Sequence, residues 1–356
     1  MKPEDIVRSG PNQYICKEGI AKELPGLLET FRKPVIVTGI KSYQAFSDYG
    51  GGSSWDVIQH KGYCSPEAVR KVCEQAEDAD VIIGIGGGTI LDLAKAAADR
   101  LDIEAVMVPS IAGTCAASTP LSVMYDESGN FIRVDYHKRS SYLTLVDPLF
   151  LLSSPIEYMK SGIGDTLAKW YEAEAVIRNT EEAAPLMAQA GLRQAEYIRN
   201  LLLRYSEAAV GSMEKGELSV PFIHTAETII MLAGTVGGYG GRLCRMAGAH
   251  AVHNGLSFLQ ETHQVLHGQK VAYGILVQLA LENRRPEIEE LLPFYRRLGF
   301  PVSLCDLGIL DNHEEAKRRI ASHACRAEES LCLMGQYREK DVSAAIESLE
   351  SAQKTG

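Results

Sequence analysis

The sequence predicts an α/β domain followed by an all-helical domain. Three observations carry this expectation. Short, continuous apolar runs alternate with helical patterns over the first part of the chain. A glycine-rich turn joins one of those runs to a helix. Beyond about Pro155 only helical patterns remain. The 356 residues are too many for one ordinary core and suit two domains, expected at 1–155 and 156–356 with the boundary near 153–158. No low-complexity linker lies there, so the domains are expected to pack around a cleft, and no internal repeat is visible.

The elements follow in order. Val35-Ile36-Val37 follows Pro34 and stops at Thr38-Gly39, a buried strand and turn. Ser65–Ala76 has helical spacing, with Ser65 placed to cap it. Asp80–Ile85 is a second buried strand, Leu91–Leu101 a helix with Leu91, Ala94, Ala98 and Leu101 on one face, and Ala105–Pro109 a third strand. Such unbroken apolar runs fit a parallel sheet covered on both faces. Leu121–Tyr125 and Phe131–Asp135 read as a hairpin turning at Asp126–Asn130, and Leu143–Val146 as a further strand. Helices are expected at Asp165–Ile177, Glu182–Leu203, Ala226–Gly234, Met246–Leu256, Lys270–Glu282 and Lys340–Glu350.

Bulk composition removes several function classes. With 46% hydrophobic and 23% charged residues the chain is globular. A net charge of −10 opposes nucleic acid as a partner, because neutralising phosphates needs a basic face. No apolar run reaches the roughly 18–20 residues that span a bilayer, so no membrane partner is expected. The start, MKPEDIVRSG, lacks the apolar stretch of a signal peptide. The eight cysteines are scattered without metal-ligand spacing, which suits free thiols in a reducing cytoplasm.

The strand at 81–85 runs into Gly84-Ile85-Gly86-Gly87-Gly88-Thr89 and then a helix. Glycines let backbone approach a diphosphate, and the helix start offers free N–H groups. Gly86, Gly87, Gly88 and Thr89 are therefore candidate phosphate contacts, although the spacing differs from the usual Gly-x-Gly-x-x-Gly pattern. Asp92 and Lys95, at i, i+3 one turn on, suit either a surface ion pair or a cofactor-side role. At the end of the earlier strand, where a carboxylate would hold the ribose 2′-hydroxyl of NAD, stands Gly39 with Lys41 nearby. A missing carboxylate beside a cation predicts NADP(H) in preference to NAD(H).

Of the nine histidines, His250 and His253 share a helical face at i, i+3, and His267 opens a later Leu-His-Gly segment. Histidines at this spacing on an Ala-rich helix serve as core residues as often as ligands, so spacing alone leaves the metal open.

Taken together, the motifs resemble the iron-containing alcohol dehydrogenase superfamily, which shares its fold with dehydroquinate synthases. They match its glycerol dehydrogenase branch. The matching pieces are Gly86-Gly87-Gly88 with Asp92 and Lys95, Pro109–Thr114, Pro120–Tyr125, Gly162–Leu167, His250–Leu256 and His267–Gly274. The resemblance implies a dinucleotide-binding α/β domain and a helical metal-binding domain with the active site between them. It implies a divalent ion on Asp165, His250 and His267. It adds Ser110, Thr114, Thr119, Leu121 and Tyr125 to the cofactor contacts, and a homo-oligomer. Two imidazoles and a carboxylate leave a coordination position open for a substrate oxygen. His253, beside His250, is a candidate proton relay or a hydrogen-bonding support.

Three positions depart from the glycerol-oxidising pattern. Cys115 stands where those enzymes carry an Asp that contacts the polyol; it is more readily a small lining residue than a nucleophile. Lys169 stands four residues after Asp165, where the iron-using branch has a fourth ligand, a His. A three-residue site favours Zn2+ over Fe2+. Lys169 would either pair with Asp165 or bind a substrate carboxylate. Gly39 is the third departure. These traits look most like the hydroxycarboxylate dehydrogenases, which implies reduction of short 2-oxo acids to 2-hydroxy acids. The alternatives are an NAD-linked glycerol or vicinal-diol dehydrogenase, a dehydroquinate synthase-like lyase, and a non-catalytic dinucleotide-binding protein.

Overall fold

The computed structural model describes residues 6–52, 54–180 and 183–353. Six parallel strands form one sheet in the order β1-β8-β5-β4-β2-β3: β1 Gln13–Cys16, β2 Pro34–Gly39, β3 Asp56–His60, β4 Val81–Gly86, β5 Glu104–Pro109 and β8 Leu143–Val146. β6 Leu121–Tyr125 and β7 Phe131–Tyr136 form a separate antiparallel hairpin. Its turn is closed by Asp126, whose Oδ1 accepts from the backbone N–H groups of Ser128 and Asn130.

The two-residue period of the strands sorts the core. Val35, Val37 and Ile82 face one side, where they join Val69, Val72, Leu91 and Ala94. Ile36, Val81, Ile83 and Ile85 face the other, against Ile20, Leu24, Leu28, Phe46 and Phe150. Both faces are covered, which is why these strands read as unbroken apolar runs. Ser65 caps the Pro66–Gln75 helix by accepting from the Ala68 N–H at 3.1 Å.

From Pro148 onward the described residues are helical or in turns. The Ile156–Arg178 helix starts nine residues before the Asp165 expected from sequence. Gly162 and Gly164 weaken its helical signal, yet both are needed for packing. A Cβ at Gly162 would stand 2.2 Å from the Ala112 carbonyl oxygen. Next comes a helix over Leu186–Lys215; Glu182, the start expected from sequence, lies outside the described residues, as do residues 1–5.

The helical run Val220–Cys244 corrects another expectation. It is long and apolar enough to cross a bilayer by length and composition, but 56% of its apolar window is buried inside the protein. It packs against the Leu186–Lys215 helix as a core element. A π-helical turn at Thr228–Leu232 interrupts it, and the Ile230 carbonyl accepts from Ser118 Oγ at 2.5 Å. The irregular turn thus ties this helix to the loop that carries Cys115. All eight cysteines are free thiols.

Candidate active site

Three helices cross where the helical region meets the sheet. They are Ile156–Arg178, Gly248–Ser257 and His267–Leu281. Glycines let them approach. A Cβ at Gly164 would stand 2.3 Å from the Gly268 carbonyl oxygen, and one at Gly274 would stand 2.3 Å from that of Ala249. Each contact is adjacent to a ligand-type residue: Gly164 precedes Asp165, Gly268 follows His267, and Ala249 precedes His250. The crossings therefore bring the three side chains together, and their ligand atoms lie within 4.8 Å of one another. Asp165 Oδ1 is 3.3 Å from His250 Nε2 and 3.2 Å from His267 Nε2. Asp165 and His250 are buried, whereas the His267 side chain is 42% exposed. This donor set can hold a divalent ion with one side open.

A buried carboxylate fixes the orientation of His250. Glu172 Oε2 lies 2.7 Å from His250 Nδ1, and Glu172 Oε1 accepts from the backbone N–H groups of Ala247 and His250. With Nδ1 donating to Glu172, the ring turns Nε2 toward Asp165, where, once deprotonated, it would offer its lone pair to an ion. Burial alone would lift the Asp165 carboxyl, but hydrogen bonds from His250 and His267, with the charges of His267 and Lys169, hold it well below the usual range. Burial likewise opposes a charged His250. The Glu172 charge and the hydrogen bonds the ring donates to Asp165 and Glu172 outweigh it and raise the ring to about 9. Glu172 was not singled out from sequence. The available signal was its place seven residues after Asp165, on the same helix face.

His253 does not face Asp165. Its Nε2 lies 2.9 Å from His267 Nδ1 and 3.3 Å from Ser257 Oγ. Lys270 Nζ donates to the same Ser257 Oγ at 3.0 Å. Burial, then the charges of His267, Lys270 and His250, keep His253 well below its ordinary value and so neutral. Burial alone lowers Lys270 to about 8.

No ion pair joins Lys169 to Asp165 among the described residues. Lys169, 8% exposed, donates instead to the Arg245 carbonyl oxygen at 3.4 Å. Burial works against its charge, but Asp165, Cys115 and Glu172 raise it above the usual lysine value. Burial pushes the Cys115 thiol up, away from the reactive thiolate, against the opposing pull of Lys169.

On the sheet side, β4 leads through Gly87 into the Gly88–Leu101 helix. The loop after β5 lies over this turn. A Cβ at Gly87 would meet Ile111 at 2.8 Å, and one at Gly88 would meet Thr114 Oγ1 at 3.1 Å. Ser110 donates its N–H to the Gly86 carbonyl oxygen at 3.0 Å. Gly86, Gly87, Gly88, Ser110 and Thr114 thus form one cluster, with Thr89 exposed at its rim. Gly39 ends β2 within 3.8 Å of the Ile90 side chain, measured from its Cβ direction, and Lys41 is exposed beside it.

Asp92 and Lys95 lie behind this cluster. They form a buried ion pair of 2.9 Å, which removes the surface-pair reading. Asp92 Oδ2 accepts from the Val123 N–H, and Lys95 donates to the carbonyl oxygens of Thr119 and Leu121. The pair fastens the β6–β7 hairpin, which carries Leu121 and Tyr125, and the preceding Thr119 to the helix from inside the fold.

Comparison with known proteins agrees with this architecture. The family model described as iron-containing alcohol dehydrogenase matches residues 11–148. Hydroxycarboxylate dehydrogenase A of Escherichia coli (strain K12) is 42% identical over 275 residues, 77% of this chain and 76% of that protein. The glycerol dehydrogenase of Pseudomonas putida is 34% identical over 339 residues, covering 92% of each. The crystal structure of a probable glycerol dehydrogenase from Sinorhizobium meliloti 1021 superposes with a TM-score of 0.88 at 30% identity, covering 98% of this chain and 99% of that one.

Proposed function

The chain belongs to the iron-containing alcohol dehydrogenase family, an alcohol–carbonyl oxidoreductase family using a nicotinamide cofactor and a divalent metal, and from that premise we propose that it reduces short 2-oxo acids to 2-hydroxy acids with NADPH. The observation that carries this reading is Lys169. It is a buried cation beside the ligand cluster with no carboxylate in contact with its Nζ among the described residues, and its neighbour Cys115 brings no fixed charge. A substrate carboxylate supplies the missing anion. The likeness to hydroxycarboxylate dehydrogenase A supports the same substrate class.

Asp165, His250 and His267 would hold the ion, and three protein ligands suit Zn2+. When bound, the ion polarises the substrate carbonyl as a Lewis acid and the nicotinamide supplies hydride. Glu172 keeps His250 Nε2 aimed inward. Neutral His253 can donate and accept, so a proton can pass along His253, Ser257 and Lys270. Gly39 puts no carboxylate where the 2′-phosphate of NADPH would sit, and exposed Lys41 beside it would supply positive charge. Residues 1–155 then serve the cofactor and 156–356 the ion.

Rates of NADPH oxidation with 2-oxobutanoate, glyceraldehyde and, in reverse, of NADP reduction with glycerol test this reading. We expect turnover of 2-oxobutanoate that stops on chelation. No turnover of any 2-oxo acid refutes the substrate assignment. A second reading, NAD-linked oxidation of glycerol or another vicinal diol, is supported by the likeness to glycerol dehydrogenases. Glycerol oxidation exceeding 2-oxo acid reduction would establish it.

A further inference from the structure

We propose that Arg245, acting with Lys169, selects a carboxylate-bearing substrate by donating charge-assisted hydrogen bonds to the carboxylate beside the reacting carbonyl. This rests on the reading of the enzyme as a 2-oxo acid reductase and names the residue that makes it one.

Arg245 stands just after the Gly241–Cys244 turn and five residues before His250. Its side chain lies along Gly237, where a Cβ would meet Arg245 Cγ at 3.5 Å. Nη2 donates to the Gly237 carbonyl oxygen at 3.0 Å, and the guanidinium carbon lies 5.4 Å from the Tyr136 ring centroid. These contacts hold the plane of the guanidinium before any ligand arrives. They leave most of its donors unused, and Nε is buried with no hydrogen-bond partner. A buried donor left unpaired is costly and calls for an explanation.

The surroundings supply one. Lys169 Nζ donates to the Arg245 carbonyl oxygen, which seats the ammonium against the Arg245 backbone, and the guanidinium charge acts on it. Neither has a carboxylate within 4.0 Å among the described residues. Each acts electrostatically on Cys115, Lys169 more strongly than Arg245, and the neutral thiol brings no charge to offset either. An acid at position 115 would do so. Asp165, the carboxylate nearest by charge, is engaged by His250 and His267. Two cations near a ligand cluster, with no carboxylate in contact with either among the described residues, make a site for an anion that also carries a metal-binding oxygen. A 2-oxo acid has both groups on adjacent carbons. The guanidinium fork fits a planar carboxylate, whereas Lys169 offers a point charge.

The test uses the metal-loaded enzyme with NADPH. It compares kcat/KM for pyruvate with that for butane-2,3-dione, in which an uncharged acyl group replaces the carboxylate. In Arg245→Gln we expect the pyruvate-to-diketone ratio to fall roughly 10- to 100-fold, mainly through KM for pyruvate, because a hydrogen bond between charged groups is lost. Inhibition by oxamate, an unreactive carboxylate analogue, should weaken by a similar factor, and Arg245→Lys should restore part of both. Arg245→Met, which keeps an apolar stem on Gly237, gives the same reading if the Gln variant does not fold. An unchanged ratio, or equal losses on both substrates, overturns the role of Arg245 and leaves the 2-oxo acid reading intact. Wild-type enzyme that reduces the diketone but no 2-oxo acid refutes that reading, and Arg245 falls with it.

Discussion

Glu172 holds His250 by both ring and backbone: one carboxylate oxygen lies 2.7 Å from Nδ1 and the other accepts the residue's own N–H at 2.9 Å. The carboxylate thereby sets the tautomer and the direction of Nε2 at once. Outer partners of this kind typically change metal affinity about 10- to 100-fold. Glu172→Gln should weaken zinc binding by that factor while leaving the helical content unchanged. Competition with a chromophoric chelator measures the first and far-ultraviolet circular dichroism the second.

The same contact makes metal uptake depend on pH. In the metal-free protein His250 titrates near 9, raised from its usual 6.5. An incoming ion must displace that proton, so affinity should rise about tenfold per pH unit between about pH 7 and 8.5. Stability of the metal-free protein moves the other way. A raised histidine stabilises fully below pH 6.5, and that contribution is lost as pH rises through about 9. Zinc titrations at several pH values check the slope; an affinity independent of pH would exclude a protonated His250.

Asp92 and Lys95 are buried together, so removing one partner strands the other. Lys95→Met should destabilise the protein by about 3–5 kcal/mol, read by urea unfolding. It should also raise KM for the nicotinamide cofactor, because Lys95 holds the Thr119 and Leu121 carbonyls.

Gly39→Asp tests the cofactor side. A Cβ there would stand 3.2 Å from Ser42 Oγ, the end of a short side chain that must give slightly, and 3.7 Å from Ile90. The new carboxylate would repel a 2′-phosphate and accept from a 2′-hydroxyl. The ratio of kcat/KM for NADPH over NADH should fall about tenfold or more.

Lys270 has the opposite energetic sign from the ligand cluster. Burial lowers it to about 8 from the usual 10.5, which costs stability below pH 8, and that cost shrinks as pH rises toward 10.5. Lys270→Met should therefore stabilise the protein at pH 7 by about 1–3 kcal/mol and by less at pH 10, read as Tm. If His253 passes protons to Lys270, the same variant slows turnover.

Sequence made the buried core legible and the margins obscure. β4 and β5 are apolar on both faces and could be read directly. β1 (QYIC) and β3 (DVIQH) are half-exposed edge strands with mixed polarity, and they carry no clear period. The helices at Ile40–Asp48, Arg285–Leu298 and His313–Ala324 were not assigned, although Ile288, Leu291, Tyr295 and Leu298 keep helical spacing. The first turns of Ile156–Arg178 were hidden by the glycines that let the helices cross. At the site, Asp165, His250 and His267 are far apart in sequence, so only ordered motifs along the chain could join them. Glu172 closes the Gly164–Glu172 segment without a role legible from its spacing, Arg245 lies in no motif, and the meaning of both comes from what they touch.

The most direct test of the account is NADPH oxidation by the purified protein with 2-oxobutanoate, before chelation, after it, and after zinc is restored. Turnover is expected to vanish on chelation and to return with zinc. Turnover of 2-oxobutanoate that survives complete removal of metal, or its absence in the zinc-loaded enzyme, would contradict it.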